Sequence, residues 1–338
     1  MRSKAVIFPE KEKVEIREEE VGGPKAGELL CASEKSLIST GTESRCLLGI
    51  FDPETNWKDW VQYPFHPGYS MGARVLEVGK DVKDFKAGDT IWAPGIPHVQ
   101  YFTMEAGQAV KLPSGVSEED ASWSNLACTT QLGTRRAELK LGESVGIVGL
   151  GILGQLVTQY VKTLGARRVV VMDTFPKRLE MAKAHGATHA LEMDAQSARK
   201  PIEEITGGRM LDAVFDITGH PAVLAPASQL LRKMGRLVLL GDTTTPSKQV
   251  LGPRILANSL SILGIHASQV PAQYSEFNPW SDREMAGLFY DYLLQGRMRV
   301  SDMVTQRENP LDAPKVYAQL LKDRSAAMGV IFDWSKLK

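Results

Sequence analysis

The stretch Ser144-Val-Gly-Ile-Val-Gly-Leu-Gly-Ile-Leu-Gly154 limits what this chain can fold into more than any other. It reads as a short buried strand, a glycine turn and the start of a helix. Gly149, Gly151 and Gly154 stand in the spacing G-x-G-x-x-G. The first glycine permits the tight turn, the second lets backbone approach a pyrophosphate, and the third lets helix and strand pack closely. The N–H groups that open the helix, at Ile152 and Leu153, face the phosphates together with the positive end of its dipole. Leu153, Leu156, Val157, Tyr160, Val161 and Leu164 then form one apolar helix face, and Gly165 ends it. Arg168-Val-Val-Val-Met172 follows as a second buried strand, closed by Asp173. That acid lies roughly 20 residues past the first glycine, where a ribose-binding carboxylate is expected. A dinucleotide site follows, with NAD favoured over NADP because an acid repels a 2′-phosphate. Arg178 and Lys177 stand close enough to temper that preference.

The remaining signals extend the same unit. Leu211-Asp-Ala-Val-Phe-Asp-Ile217, Gly235-Arg-Leu-Val-Leu-Leu240 and Leu260-Ser-Ile-Leu-Gly264 read as three further strands. Pro221 suits the first turn of an intervening helix. Such alternation implies a parallel sheet covered on both faces, with ligand at the carboxyl ends of its strands. Thr218, Gly241, Asp242, Gly264 and His266 occupy those ends and join Asp173 and Arg178 in the expected cofactor set.

Before this unit the texture is β-rich, with turn signals at Gly22-Gly-Pro24, Gly68, Gly79, Gly88-Asp89 and Pro94-Gly95. Ser117 and Asp120 mark the change to helix as an N-terminal cap. After Ser268 come helices near 282–295 and 310–323 and a strand-like Met328-Gly-Val-Ile-Phe332. The expected organisation is a barrel-like lobe over 1–122, a nucleotide-binding domain over 123–268, and a return segment over 269–338 that completes the first lobe. A chain of 338 residues suits two domains. Forty basic and forty acidic residues cancel, so no charge field argues for nucleic acid or a membrane surface. No apolar run reaches the roughly 18 residues of a membrane span, and the N-terminus lacks a signal peptide's apolar core. Three cysteines, Cys31, Cys46 and Cys128, make no disulfide framework, which fits a reduced cytoplasmic setting.

This order of lobes resembles the medium-chain dehydrogenase/reductase superfamily over nearly the whole chain. The likeness rests on His66-Pro-Gly-Tyr-Ser-Met-Gly-Ala-Arg-Val-Leu-Glu-Val-Gly79, Phe85-Lys-Ala-Gly-Asp89, Leu112-Pro113, Cys128 to Gly133, the glycine turn, Asp173 and Gly186-Ala187. Ser36-Leu-Ile-Ser-Thr-Gly-Thr-Glu43 with Pro67-Gly-Tyr69 looks like the branch that holds bacteriochlorophyllide dehydrogenases and many sugar or polyol oxidoreductases. The resemblance implies an α/β fold: a doubly wound Rossmann sheet plus a GroES-like β-barrel catalytic domain, in a homodimer. Zinc-dependent relatives hold their catalytic metal at positions that here carry Thr40, Tyr69 and Cys128. Zinc wants three or four soft or imidazole ligands. No metal is therefore expected, although His66 and His98 are possible substitutes. Cys128 alone reads as a small buried hydrophobe.

Hydroxyls and imidazoles must then do what a metal would. By the resemblance, Thr42 matches the family's proton-relay hydroxyl. Tyr69 replaces a metal ligand and can donate a hydrogen bond, or act as acid/base if its pKa is lowered. His98, expected near the cleft, can relay protons, and Thr40 lines the old metal pocket. Glu43 is expected to hold backbone or Arg45, and His185 and His189 to be structural. The aromatic-rich segments Phe51–Phe65 and Tyr274–Trp280 suit a polyhydroxylated ring, a tetrapyrrole or plain packing. The expected function is NAD-dependent, zinc-independent hydride transfer on a secondary alcohol or ketone of a sugar, polyol or cyclitol. The alternatives are a bacteriochlorophyllide-type hydroxyethyl dehydrogenase, a zinc-free quinone or enoyl reductase, and an inactive nucleotide-binding protein.

Overall fold

In the computed structural model, residues 1–271, 273–325 and 327–337 are described. The chain forms two compact units, one from Met1–Asn125 with Ala286–Lys338 and the other from Leu126–Met285. Both chain crossings fall inside helices, Ser124–Arg136 and Asp282–Leu294. The second unit therefore extends past 268, where the spacing of strands had placed its end.

The Leu126–Met285 unit is built on a six-stranded, all-parallel sheet. Its order is 189–192, 168–173, 144–148, 211–216, 231–239, 261–264. Counted along the chain this is 3-2-1-4-5-6, the doubly wound order in which ligands bind where the winding reverses. Alternation along each strand feeds two cores. Val145, Ile147, Val169, Val171 and Phe215 pack on one face. Val148, Val170, Met172, Val214 and Leu237 pack on the other. The strand His189–Glu192 has no counterpart among the sequence expectations. Its residues are half-buried or exposed, so it carries no apolar run to read. It lies at the sheet's edge beside Arg168–Asp173.

The other unit holds a seven-stranded sheet around the long strand Glu28–Ile38, which pairs with Ser70–Val78, Tyr101–Glu105 and Gly329–Asp333. Gly329–Asp333 and its parallel neighbour Val304–Glu308 come from the end of the chain, so the return segment completes this sheet. Lys35 pairs with Asp333 at 2.5 Å across the junction. Ser117 caps the helix Glu118–Ala121 in a reciprocal box with Asp120. Among the described residues, no helix is long and apolar enough to cross a membrane.

All three cysteines are buried and free. Burial pushes the Cys31 thiol up to about 12 and raises Cys46 and Cys128 as well. The thiolate is the nucleophile. Native protein at neutral pH should therefore leave a thiol reagent such as DTNB unreacted, and all three thiols should appear after denaturation. Rapid labelling of the native state would contradict the packing.

Candidate functional site

The glycine turn is shaped by close approach. Gly149 sits at φ +89°, open to glycine and costly for other residues. A Cβ on Gly154 would lie 2.1 Å from the Gly149 carbonyl oxygen, so helix and strand touch there. A Cβ on Gly151 would meet nothing within 4 Å. Its missing side chain serves space outside the protein, as a phosphate cradle requires. Gly151 also caps the helix Ile152–Thr163 without a side-chain hydrogen bond, leaving Ile152 and Leu153 to present backbone N–H groups. These residues fit a dinucleotide's pyrophosphate.

Asp173 ends its strand beside this turn. Its carboxylate accepts the Leu150 N–H at 2.7 Å and the Phe175 N–H at 2.9 Å, and Arg178 lies 3.8 Å away. Each oxygen keeps a second lone pair, so bracing the turn and accepting a ribose hydroxyl are compatible. Arg178 also stacks on the Phe175 ring at 4.7 Å. Gln155 donates to the carbonyls of Leu150 and Arg178 and meets the buried His185, tying the turn to the next helix. No motif signalled Gln155. At the neighbouring strand ends, Thr218 donates its N–H and O–H to Asp216, whose carboxyl burial pushes up and these bonds draw down. A Cβ on Gly241 would lie 2.4 Å from the Gly219 nitrogen. His266 stands 4.0 Å from Asp242, just past the strand that ends at Gly264.

The hydroxyl-bearing residues gather in the other unit. Strand Glu28–Ile38 runs through Ser39 into the helix Thr40–Leu48, placing Thr40 and Thr42 in its first turn. The Tyr69 hydroxyl hydrogen-bonds with the side chains of Ser39 and Thr42. Burial pushes that phenol up to about 12, Glu43 adds to the rise, and the two hydrogen bonds offset only part of it. Of the two roles open to it, this leaves Tyr69 the hydrogen-bond donor, neutral at physiological pH. Ser39 was missed, though it lies within the motif that named Thr40 and Thr42.

Glu43 holds this helix start. Its side chain accepts the Ser39 N–H at 2.8 Å, the Tyr317 hydroxyl, and His98 Nε2 at 3.1 Å. His98, expected near the cleft, is fully buried. Its Nδ1 lies 2.8 Å from the Ser36 hydroxyl, and Ser36 also accepts the Trp334 indole N–H at 2.9 Å. With its proton on Nε2, His98 donates to Glu43 and accepts from Ser36, which uses every polar atom in the chain of bonds. The His98 ring packs edge-on against Phe332. Gly68, at φ +95°, passes so close that a Cβ would lie 2.8 Å from His98. The turn that presents Tyr69 therefore rests on the imidazole. His66, the other possible metal ligand, is exposed and pairs with Glu19 at 2.9 Å.

Of the three positions expected to match metal ligands, Thr40 and Tyr69 carry hydroxyls and only Cys128 carries a thiol, a poor set for an ion that takes thiolate, imidazole and carboxylate ligands. Cys128 lies in the Leu126–Met285 unit and donates its S–H to the Asp282 carbonyl at 3.7 Å. Among the described residues, no group of three or more His, Cys, Asp or Glu is placed to hold a metal.

Residues 153–283 match the family profile described as zinc-binding dehydrogenase. Sorbitol dehydrogenase of Bacillus subtilis is 28% identical over 235 residues, 61% of this chain and 67% of that protein. The chain is similar to these proteins, and the enzyme class the similarity supports is an alcohol dehydrogenase. D-guloside 3-dehydrogenase of Shigella flexneri shares 26% identity with the dehydrogenase over 274 residues, 79% of this chain and 78% of the relative. The fold matches a zinc-binding dehydrogenase of Sinorhizobium meliloti bound to NADP, with a TM-score of 0.80 at 21% identity over 98% of this chain and 99% of that one. It also matches a structure from Escherichia coli CFT073 described as a short chain alcohol dehydrogenase complexed with NADH, with a TM-score of 0.79 at 18% identity and the same coverage. The dehydrogenase thus shares the fold of NAD(P)-binding oxidoreductases.

Glu43→Ala should leave His98, Tyr317 and the Ser39 N–H without their acceptor and cost about 1–3 kcal/mol of stability, as leaving buried donors unsatisfied does. Glu43→Gln keeps the shape and should cost less. Urea unfolding of both variants measures this; equal and small losses would mean the carboxylate does not organise the helix start.

Proposed function

We propose that this dehydrogenase interconverts a secondary alcohol and a ketone on a sugar, polyol or cyclitol, with NAD as cofactor and no catalytic zinc. The observation that carries this reading is the meeting of the Tyr69, Thr42 and Ser39 hydroxyls at the start of the helix held by Glu43. The names of the sugar and polyol relatives supply the substrate class. Bound NAD would supply hydride acceptance at its nicotinamide.

The chain's own work is to hold and move a proton. A neutral Tyr69 donates a hydrogen bond to the reacting oxygen, where negative charge develops. On oxidation the carbinol O–H proton passes to the Thr42 hydroxyl as Thr42 releases its own proton to water, and reduction runs the same path in reverse. Thr40 lines the same helix start. His98, sealed behind Glu43, serves as a positioning residue. Gly149, Gly151, Ile152, Leu153 and Gly154 hold the pyrophosphate. Asp173 turns its free lone pairs to the adenosine ribose, with Arg178 beside it. Thr218, Gly241, Asp242, Gly264 and His266 line the remaining strand ends. The working form is a cytoplasmic homodimer, as the resemblance implies.

Without a metal, donors must stabilise the developing charge, and one well-placed donor in a dry site is worth roughly 2.7–4 kcal/mol. Tyr69→Phe and Thr42→Val should each lower turnover by about two orders of magnitude while NAD affinity stays near wild type. Near-normal turnover in both variants would remove the hydroxyl cluster from the chemistry. Because the phenol is pushed up to about 12, its proton stays in place across the working range. The turnover–pH profile of wild type should therefore lack a Tyr69-dependent limb below about pH 11. A limb near neutrality that Tyr69→Phe abolishes would contradict this.

Asp173→Ala should weaken NAD binding, read by titration with NADH and NADPH. Wild-type preference for NADPH, or unchanged NADH affinity in the variant, would overturn the cofactor assignment.

A further inference from the structure

Trp60 is a large aromatic residue left 46% exposed, close to the hydroxyl cluster. It ends the short helix Asn56–Trp60, and its ring centroid lies 6.5 Å from that of Tyr69. It is also firmly held. Phe65 meets it edge-on at 5.3 Å and Trp57 packs at 6.0 Å. Trp57 is itself buried and stacked on Phe51. The C-terminal end of the segment is pinned. Phe65 exchanges two backbone hydrogen bonds with Phe8, each 2.8 Å, and the Tyr63 hydroxyl donates to the Cys46 carbonyl at 2.5 Å. Trp60 therefore shows water a fixed apolar surface beside the donors that would meet the reacting oxygen.

We infer that Trp60 is a stacking platform for the C–H face of a ring-shaped polyol, and that it makes the enzyme select cyclic over open-chain alcohols. The inference rests on the polyol reading above and deepens it. An indole face is electron-rich. Ring carbons that bear hydroxyls carry polarised C–H groups, and in a saturated ring several of these lie on one face. Such a face covers the indole while its hydroxyls stay free for polar partners. An open-chain polyol presents no such face and must freeze its rotors to imitate one. A platform held in place before binding rewards the rigid ligand.

Wild type, Trp60→Ala and Trp60→Phe can be compared by two readouts. In saturation-transfer NMR, with myo-inositol and methyl β-D-glucopyranoside as ring probes and sorbitol as the open-chain probe, wild type should transfer to ring C–H groups. The alanine variant should lose that transfer and the phenylalanine variant should keep part of it. In steady-state kinetics, Trp60→Ala should raise KM for a ring alcohol by about tenfold, the scale of one aromatic contact. It should leave kcat and the sorbitol parameters little changed. No transfer to either ring probe in wild type would overturn the inference. So would equal losses for ring and open-chain probes, which would mark Trp60 as a structural part of the loop. Ring transfer that depends on Trp60 without turnover of any alcohol would retain the platform and defeat the dehydrogenase reading instead.

Discussion

Glu43 carries its carboxylate where almost no water reaches it, and a buried carboxylate persists only when its lone pairs are met. The acceptor needs of that one group explain the arrangement around it. The Ser39 N–H fixes the helix start, Tyr317 brings in the chain's last helix, and His98 carries the demand on to Ser36 and Trp334. The turn bearing Tyr69 lies against His98, with a glycine where any side chain would collide. Thr42 and Tyr69 are thereby brought together over a buried network.

This division of labour suits chemistry without a metal. A zinc ion can be positioned by a few ligands and brings its own charge. Hydroxyl donors act only where they already point, so their rigidity has to come from the protein. The raised pKa of Tyr69 fits the same logic. A phenol that cannot ionise at working pH never repels a developing alkoxide and always has a proton to share. The cofactor unit solves a simpler problem, because phosphates can be met by backbone, and its glycines exist to let backbone approach.

Much of this was legible in the chain. The glycine spacing, the apolar runs of the central strands and the acid at Asp173 all report local geometry, and the parallel sheet followed from them. Thr42 and Tyr69 were legible because the resemblance aligned them. The failures have physical causes. The strand 189–192 lies at a sheet edge and has no apolar pattern. His98 looks like any loop histidine until the fold buries it. Tyr317 reaches Glu43 from the far end of the chain, and only the completed sheet brings them together. Asp173 was legible as a strand-end acid, but its bonds to Leu150 and Phe175 depend on where the turn passes, which spacing does not report. Sequence left both a donor and an acid/base role open to Tyr69, and burial outweighing its hydroxyl partners favours the donor.

The central claim is that hydroxyl donors stand where related enzymes place a metal. Elemental analysis of the purified protein, paired with turnover on a polyol substrate before and after treatment with a strong chelator, tests it most directly. The account predicts no stoichiometric zinc and unchanged turnover after chelation. About one zinc per chain, removed together with activity and restored with it, would contradict the account.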